Sequence, residues 1–214
     1  MMRIINAGPD LSVTAAGVIA DALRDRAALH ERVSFAVSGG RTPWSVFRLL
    51  SRDTVPWNRV DLYQVDERVA PLHDPARNRT GLTESLLERV PAVFHAMPVE
   101  AHDLVAAADS YASALPESLD VIHLGLGDDG HTASLVPGDA AVLVEDRDVA
   151  VTDRYRGHRR MTLTRAALNR AGLLVWIVAG TDKAEMVERL VTGDPTIPAG
   201  LVSQDRAVLI TDSI

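Results

Sequence analysis

Short apolar runs recur along the chain at intervals that suit the strands of one sheet. Most of them are apolar at consecutive positions, a pattern typical of parallel strands that are covered on both faces. The runs that predict strands are Met2–Asn6, Val33–Val37, Val60–Val65, Asp120–Leu124, Leu173–Ala179 and Ala207–Thr211, with shorter extended segments at Val149–Thr152 and Met161–Leu163.

Segments of helical periodicity separate these runs. Apolar residues recur at helical spacing from Ala15 to Leu23, and Thr42 and Pro43 predict the start of a second helix, with Thr42 as N-cap and Pro43 in its first turn. Further helices are predicted over Leu82–Arg89, Leu104–Leu115, Arg165–Asn169 and Lys183–Val191. This alternation predicts an α/β fold, a single doubly wound domain over residues 1–214 whose mostly parallel sheet carries helices on both faces.

Composition narrows the class of protein. The 214 residues are 47% apolar, enough for a substantial core, and no apolar run approaches the roughly 18 residues of a membrane span. Cysteine is absent, which excludes disulfides, thiolate metal sites and a cysteine nucleophile. A net charge of -7 argues against nucleic acid as a partner. We expect a cytoplasmic protein, a monomer or weak homo-oligomer, that binds neither nucleic acid nor membrane.

The loop after Leu124 has the most informative composition in the chain. Three glycines at 125, 127 and 130 allow the backbone to approach a ligand closely. His131 follows them at the carboxyl end of a buried strand, where open α/β sheets bind their ligands. Because Asp129 stands two residues before it, His131 is the candidate general base, and Gly130 is a candidate for substrate binding.

The same glycines match the dinucleotide-binding fingerprint, with Glu145 at the distance expected for a ribose-binding acid. Two features argue against that interpretation. Asp128 and Asp129 would repel a pyrophosphate, and Pro137 and Gly138 leave no room for the helix whose N-terminus would bind it. We therefore favour a sugar-phosphate site.

A second candidate site follows the strand at 33–37. Ser38, Gly39 and Gly40 lead through Arg41 to the helix start at Thr42. Exposed backbone N–H groups and a helix N-terminus suit a phosphate, although an ordinary strand–helix turn has the same composition. The cation at Arg41 favours the phosphate cradle, because a bound anion would offset the repulsion between this cation and the positive end of the helix dipole.

Polar residues also follow the strand at 60–65. Arg68 could clamp a phosphate or an oxyanion, steadied by Asp66 or Glu67, or it could form an ordinary surface ion pair. Asn78 either binds a sugar hydroxyl or caps the next helix. These residues, with Arg68 foremost, are the third group of site candidates.

Lysine occurs once. Among 22 basic residues only Lys183 is not arginine, and it follows the strand at 173–179 in the first turn of a predicted helix. A cation there opposes the helix dipole, so a bound anion would stabilise it. Chance is the alternative explanation, and we favour a phosphate ligand.

Missing motifs limit the chemistry. The chain has no nucleophile elbow, no Walker lysine loop and no His-Glu-x-x-His zinc motif. The chemistry that remains is phosphate binding combined with a histidine base, and this combination suits hydrolysis of an activated ester. The chain resembles the glucosamine-6-phosphate isomerase/6-phosphogluconolactonase family in several segments, which occur in the same order as in that family. The matching segments are 38–43, Trp57 with 65–69, 125–135 with 137–138, 160–164 and 180–183.

The resemblance implies a fold like that of the deaminases and ribose-5-phosphate isomerases. It also implies hydrolysis of 6-phospho-D-glucono-1,5-lactone to 6-phospho-D-gluconate without metal or cofactor. By position, His131 is the implied base, Asp129 supports its loop, Arg68 and Lys183 bind anions, and residues 38–40 form part of the substrate cradle. Whether Arg68 binds the phosphate or the oxyanion stays open here.

The chain departs from the family pattern at Arg77, where serine is usual, and at Val136, where phenylalanine is usual. Two other functions fit the same residues. An amino-sugar-phosphate deaminase or isomerase would need a base for proton abstraction, and Asp66 could serve. A non-enzymatic sugar-phosphate sensor is the least favoured, because we expect no DNA-binding segment before Met2.

Overall fold

The computed structural model describes residues 2–213, which form ten strands. In chain order they are β1 (Arg3–Asn6), β2 (Val33–Val37), β3 (Val60–Gln64), β4 (Asp66–Arg68), β5 (Val93–His95), β6 (Val121–Leu124), β7 (Val149–Val151), β8 (Arg160–Leu163), β9 (Leu173–Val178) and β10 (Ala207–Thr211). Seven of them make one parallel sheet in the order β1-β10-β9-β6-β2-β3-β5. The six strands predicted for the main sheet all belong to it.

Helices cover both faces of this sheet, as the sequence predicts. They are α1 (Leu11–Leu29), α2 (Arg41–Leu50), α3 (Asn78–Leu82), α4 (Leu104–Ser113), α5 (Arg165–Asn169) and α6 (Ala184–Val191). Successive side chains of a strand point to opposite faces. Val175 and Ile177 of β9 accordingly pack in one core with α1 and α2, while Trp176 and Val178 pack in the other with α4, α5 and α6.

A second, small sheet was not predicted as such. Strands β4, β8 and β7 pair antiparallel, in that order, beside the carboxyl end of the large sheet. Val65 joins the two sheets: its N–H donates to Val37 O of β2 at 2.9 Å, and its carbonyl accepts from Leu163 N at 2.7 Å. The strand predicted over 60–65 therefore ends one residue early and turns into β4.

Three helix starts differ from the prediction, and the smallest difference is at α6, which begins at Ala184 because Lys183 belongs to a 3₁₀ turn over Thr181–Lys183. Helix α2 begins at Arg41, with Gly40 as its N-cap at φ +140° and no side-chain cap, so the prediction of Thr42 as N-cap was wrong. Glycine takes this position because it alone adopts that backbone angle readily. The helix predicted from Leu82 begins earlier, at Asn78, and passes into a π-helical turn over Thr83–Leu87. Its start is set by Glu67, a distant acceptor that periodicity cannot reveal.

Candidate active site

Several of the sequence-predicted residues meet in a cavity of about 140 Å³. It lies beyond the carboxyl ends of β2, β3 and β6, as expected for an open α/β sheet. Its wall consists of Ser38, Gly39, Asp66, Arg68, Asn78, Gly125, Leu126, Gly127, His131, Ala133 and Arg160. Six of the twelve residues proposed from the sequence are among them.

His131 is oriented by Asp129. The Nδ1 atom of His131 donates to Asp129 Oδ1 at 2.5 Å, and the His131 N–H donates to the same oxygen at 3.2 Å. Because an ionised carboxylate only accepts, the proton of a neutral His131 ring sits on Nδ1, and Nε2 keeps its lone pair. His131 therefore presents a basic nitrogen in the wall of the cavity.

The Asp129 carboxylate is charged at neutral pH. Burial acts to raise the pKa of Asp129, but hydrogen bonds from the His131 ring, the His131 N–H and Tyr155 lower this pKa to about 2. The Tyr155 hydroxyl donates to Oδ2 at 2.9 Å. Asp129 can thus stabilise an imidazolium that forms when His131 accepts a proton.

Glycine at 127 makes room for the His131 ring. A Cβ atom on Gly127 would lie 2.0 Å from His131 Nδ1, and the Gly127 N–H donates to His131 O at 2.8 Å. Gly130 has φ +80°, and a Cβ there would lie 2.5 Å from Ile197. No long helix follows the glycines, since the next helical segment is a 3₁₀ turn at Ala140–Leu143. The loop is therefore built around a histidine ring rather than around a pyrophosphate.

Arg68 and Arg160 form the cationic side of the cavity. They are directly opposed across the antiparallel pair β4–β8, so their side chains leave the same face of the small sheet. Arg68 donates to Ala76 O at 2.7 Å, and Arg160 approaches Ser134 Oγ and Tyr155 O at 3.5 Å, all of them neutral oxygens. The Nε atoms of both are buried without a hydrogen-bond partner among the described residues. Neither guanidinium forms an ion pair with a carboxylate of residues 2–213, and two such positive charges suit an anionic ligand.

Arg160 is the functional candidate that the sequence interpretation missed. It was part of a matching segment but received no role, because its position opposite Arg68 depends on a register that sequence does not reveal. It is 5% exposed. Burial lowers the pKa of Arg160, the charge on Asp66 opposes that shift, and the charge on Arg68 adds to it.

Asp66 and Asn78 form a hydrogen-bonded network in the cavity wall. Asn78 Nδ2 donates to Asp66 O at 2.9 Å and to Asp66 Oδ1 at 3.1 Å, and Ser134 Oγ donates to Asp66 Oδ2 at 2.6 Å. A Cβ on Gly39 would lie 2.0 Å from Asn78 Oδ1, so the glycine allows this close packing. Asn78 is the first residue of α3, whose N-cap is Arg77 and which has no side-chain cap, so the alternative that Asn78 caps this helix was wrong.

Glu67 anchors the segment that carries these residues. Its fully buried carboxylate accepts hydrogen bonds from the N–H groups of Arg68, Asn78 and Arg79 at 2.7–2.8 Å. Arg77 lies 3.1 Å from it through Nε and 2.8 Å from Glu100 through Nη1. Arg77, which stands where the family usually has serine, therefore forms a buried ion pair with Glu67 behind the cavity wall.

Ser38 is held by a buried histidine. The Ser38 N–H donates to His123 Nδ1 at 3.3 Å. Complete burial lowers the pKa of His123 to about 3, so this ring is neutral. His123 belongs to β6, and its ring holds the backbone of Ser38 at the start of the segment 38–40.

The remaining proposed residues lie around the cavity rather than in its wall. Arg41 is exposed at the start of α2, next to Gly40 and Thr42. Lys183 Nζ forms an ion pair with Asp128 and donates to Leu126 O at 3.3 Å. The lone lysine therefore neutralises an acid of the His131 loop.

Two further properties concern residues 2–213 as a whole. No group of three or more His, Asp or Glu side chains is arranged to hold a metal ion within this range. Nor do these residues include a helix with the length and apolar character needed to cross a membrane.

Comparison with known proteins identifies relatives of the whole chain. The 6-phosphogluconolactonase of Mesorhizobium japonicum is 36% identical over 89% of this chain and 84% of its own length. That of Caulobacter vibrioides is 35% identical over 92% of this chain and 90% of its own. Both relatives are thus similar to this chain over nearly its full length.

Solved structures have the same fold. A 6-phosphogluconolactonase from Thermotoga maritima superposes with a TM-score of 0.90 at 23% identity, covering 99% of both chains. A monomeric glucosamine-6-phosphate deaminase superposes with a TM-score of 0.86 at 18% identity, covering 99% of this chain and 98% of its own. The sequence profile of the glucosamine-6-phosphate isomerase/6-phosphogluconolactonase family matches residues 7–211. This chain is therefore a member of the glucosamine-6-phosphate isomerase/6-phosphogluconolactonase family.

Proposed function

We propose that this protein hydrolyses 6-phospho-D-glucono-1,5-lactone to 6-phospho-D-gluconate, the second step of the oxidative pentose phosphate pathway. The observation that carries the proposal is the joint placement of a base and a cationic pair. His131, held by Asp129 through Nδ1, shares one cavity wall with Arg68 and Arg160. A phosphorylated lactone needs both features, a base for water and positive charge for its phosphate.

The chemistry follows from the free nitrogen of His131. Nε2 accepts a proton from a water molecule while the water oxygen attacks the lactone carbonyl carbon. Asp129, ionised because its pKa is about 2, stabilises the resulting imidazolium. The tetrahedral oxyanion then collapses, the bond from the carbonyl carbon to the ring oxygen breaks, and His131 returns the proton to that oxygen. The product is a carboxylic acid with a free hydroxyl group.

Arg68 and Arg160 bind the phosphate in this proposal. A phosphate monoester carries a charge of roughly -1.5 to -2 at neutral pH, which matches two guanidinium groups. Ser38 and Gly39 line the cavity, and Gly40, Arg41 and Thr42 follow them into the start of α2, so in this proposal residues 38–42 contribute the substrate cradle. Lys183 places its ammonium group against Leu126 and Asp128, beside the His131 loop, and Gly130 at φ +80° allows that loop to turn. Asn78 Oδ1, which has no hydrogen-bond partner among the described residues, and the Asp66 carboxylate offer acceptor oxygens to sugar hydroxyls.

The deaminase or isomerase alternative is not favoured. Its proton-abstracting base would be Asp66, but both Asp66 carboxylate oxygens already accept hydrogen bonds, from Asn78 and from Ser134. The relatives at 35–36% identity are lactonases, whereas the deaminase of similar fold shares only 18% identity. We further propose a cytoplasmic monomer or weak homo-oligomer, supported by the absence of cysteine and a net charge of -7.

A coupled assay tests the proposal. Glucose-6-phosphate dehydrogenase generates the lactone, and 6-phosphogluconate dehydrogenase reports its opening as a second phase of NADPH formation. The lactone also opens spontaneously, so the rate is compared with a reaction without protein and with His131→Asn. We expect the second phase to accelerate in proportion to the wild-type protein and kcat to fall at least about 100-fold in the variant. No acceleration with active coupling enzymes would contradict the lactonase, and glucosamine 6-phosphate would be tested next.

A further inference from the structure

Tyr155 occupies the turn between β7 and β8, next to the cavity but outside its wall. Its N–H and carbonyl pair with those of His158, at 3.0 and 3.3 Å. The two residues between them, Arg156 and Gly157, have φ values of +49° and +90°, as a two-residue hairpin turn requires. Tyr155 is therefore fixed at the base of a tight hairpin beside the His131 loop.

The hydroxyl group of Tyr155 completes the set of donors around Asp129. One carboxylate oxygen of Asp129 accepts from the His131 ring and the His131 backbone, and the other accepts from Tyr155 at 2.9 Å. A carboxylate held at both oxygens cannot rotate. The Tyr155 ring also packs against the His131 ring, with centroids 5.5 Å apart and planes at 65°.

The ring of Tyr155 contacts the cationic side of the site as well. The Arg160 guanidinium lies 5.0 Å from the ring centroid, and the Tyr155 carbonyl is 3.5 Å from Arg160 Nη2. The Arg156 guanidinium lies 5.1 Å from the same centroid. One side chain thus touches both the proposed base and one of the proposed phosphate ligands.

We propose that Tyr155 is a positioning residue, whose hydroxyl fixes Asp129 and through it the His131 ring, and whose ring fixes Arg160. Its place outside the cavity wall means that it acts through these residues and not on the substrate. Burial first and the hydrogen bond to Asp129 second raise the pKa of Tyr155, so the phenol keeps the proton that it donates. The inference rests on the proposed lactonase and deepens it.

Two substitutions at Tyr155 separate the two contacts. Tyr155→Phe removes the hydroxyl and keeps the ring, so we expect kcat to fall about tenfold, the loss typical of one hydrogen bond to a charged group, with KM unchanged. Tyr155→Leu also removes the ring from Arg160, and we expect KM to rise in addition. Tyr63→Phe is the matched control, because its hydroxyl only approaches Ala114 O at 3.4 Å away from the cavity. We expect wild-type kcat and KM in this control.

A double-mutant cycle with Asp129→Ala tests the route of action. If Tyr155 acts through Asp129, Tyr155→Phe lowers kcat in the wild-type background and has no further effect once the carboxylate is gone. A kcat within twofold of wild type in Tyr155→Phe would overturn the inference, and so would an equal fall in both backgrounds. An inert wild-type protein would instead overturn the proposed function, and this inference with it.

Discussion

Gly127 shows how far a single residue determines the geometry of the proposed base. The His131 ring occupies the space that a side chain at 127 would need, since a Cβ there would lie 2.0 Å from Nδ1 and 2.1 Å from Cε1. Contacts of this length do not occur, so any larger residue must displace the ring. The glycine is required by its neighbour, because its own φ lies outside the left-handed region.

We therefore expect Gly127→Ala to lower kcat at least about 100-fold, close to the loss in His131→Asn, because the displaced ring loses Asp129. Circular dichroism and thermal unfolding would check that the fold is retained. Gly125→Ala is the matched control in the same loop: its new methyl group would meet no atom within 4 Å. It points into open space at the cavity, so any effect should fall on KM. Equal losses of kcat in the two variants would refute the argument.

Residue chemistry was predictable where it is local in sequence. His131 and Asp129 stand two positions apart among glycines, so their pairing could be inferred from the sequence. Tyr155 is 26 positions from Asp129, and its hydroxyl reaches the carboxylate only because the hairpin folds back. Nothing in the residues around 155 signals that contact.

At the scale of secondary-structure elements, the small antiparallel sheet assembles the cationic side of the site. Pairing of β4 with β8 sets Arg68 opposite Arg160, and the alternation of side chains turns Arg159 to the other face, where it is exposed. A shift of the register by one residue would remove Arg160 from the cavity.

This arrangement predicts the effect of neutralising one arginine. We expect Arg160→Gln to raise KM for the phosphorylated lactone by about 10- to 100-fold, because each hydrogen bond between charged groups is worth roughly 1.5–3 kcal/mol. The thermal midpoint should change by no more than about 4 °C, since burial already disfavours the charge that is lost. Steady-state kinetics and a melting curve measure the two effects. Arg159→Gln, the adjacent change on the opposite face, should leave KM unaltered, and a similar rise there would contradict the assignment.

The sequence predicted six of the seven strands of the large sheet and missed β5, and it was less accurate at the ends of elements. Strand β9 is a continuous apolar run, and β2 and β6 are interrupted only by Ser34 and His123, so these strands can be recognised from local sequence. Strand β5 spans only three residues, and the start of α3 depends on the Glu67 carboxylate, which accepts from Asn78 and Arg79 eleven and twelve residues later. Features that depend on contacts between distant segments cannot be predicted from the hydrophobic periodicity of the sequence.

At the scale of the whole molecule, His123 couples the stability of the sheet to pH. It lies in β6 at the centre of the large sheet, paired with Val37 on one side and Val175 on the other. Its ring packs edge-on against Phe47 at 5.4 Å, and its Nδ1 accepts the Ser38 N–H. Burial lowers the pKa of His123 to about 3, from an ordinary value of 6.5. The folded protein therefore excludes a proton that the unfolded chain accepts.

The sign of the effect follows from proton linkage. Between pH 6.5 and pH 3 the unfolded chain holds one proton more than the folded protein at this residue, so the free energy of unfolding decreases as the pH falls. The free energy of unfolding decreases by about 1.4 kcal/mol per pH unit for one proton. Since only the part of the interval below pH 6.5 contributes, the decrease between pH 7.5 and pH 5 is about 2 kcal/mol. Above pH 7.5 this residue contributes no pH dependence.

His123→Asn isolates this contribution, because the asparagine oxygen can accept the Ser38 N–H but does not titrate. Urea unfolding of both proteins at pH 7.5 and pH 5 gives the free energy of unfolding under each condition. The carboxylates titrate alike in the two proteins and cancel in the comparison, as does any constant cost of the substitution. We expect the wild-type protein to lose about 2 kcal/mol more than the variant over this interval. An equal loss in both would mean that His123 is protonated in the folded state, and hence that the neutral ring does not hold Ser38 at the edge of the proposed active site.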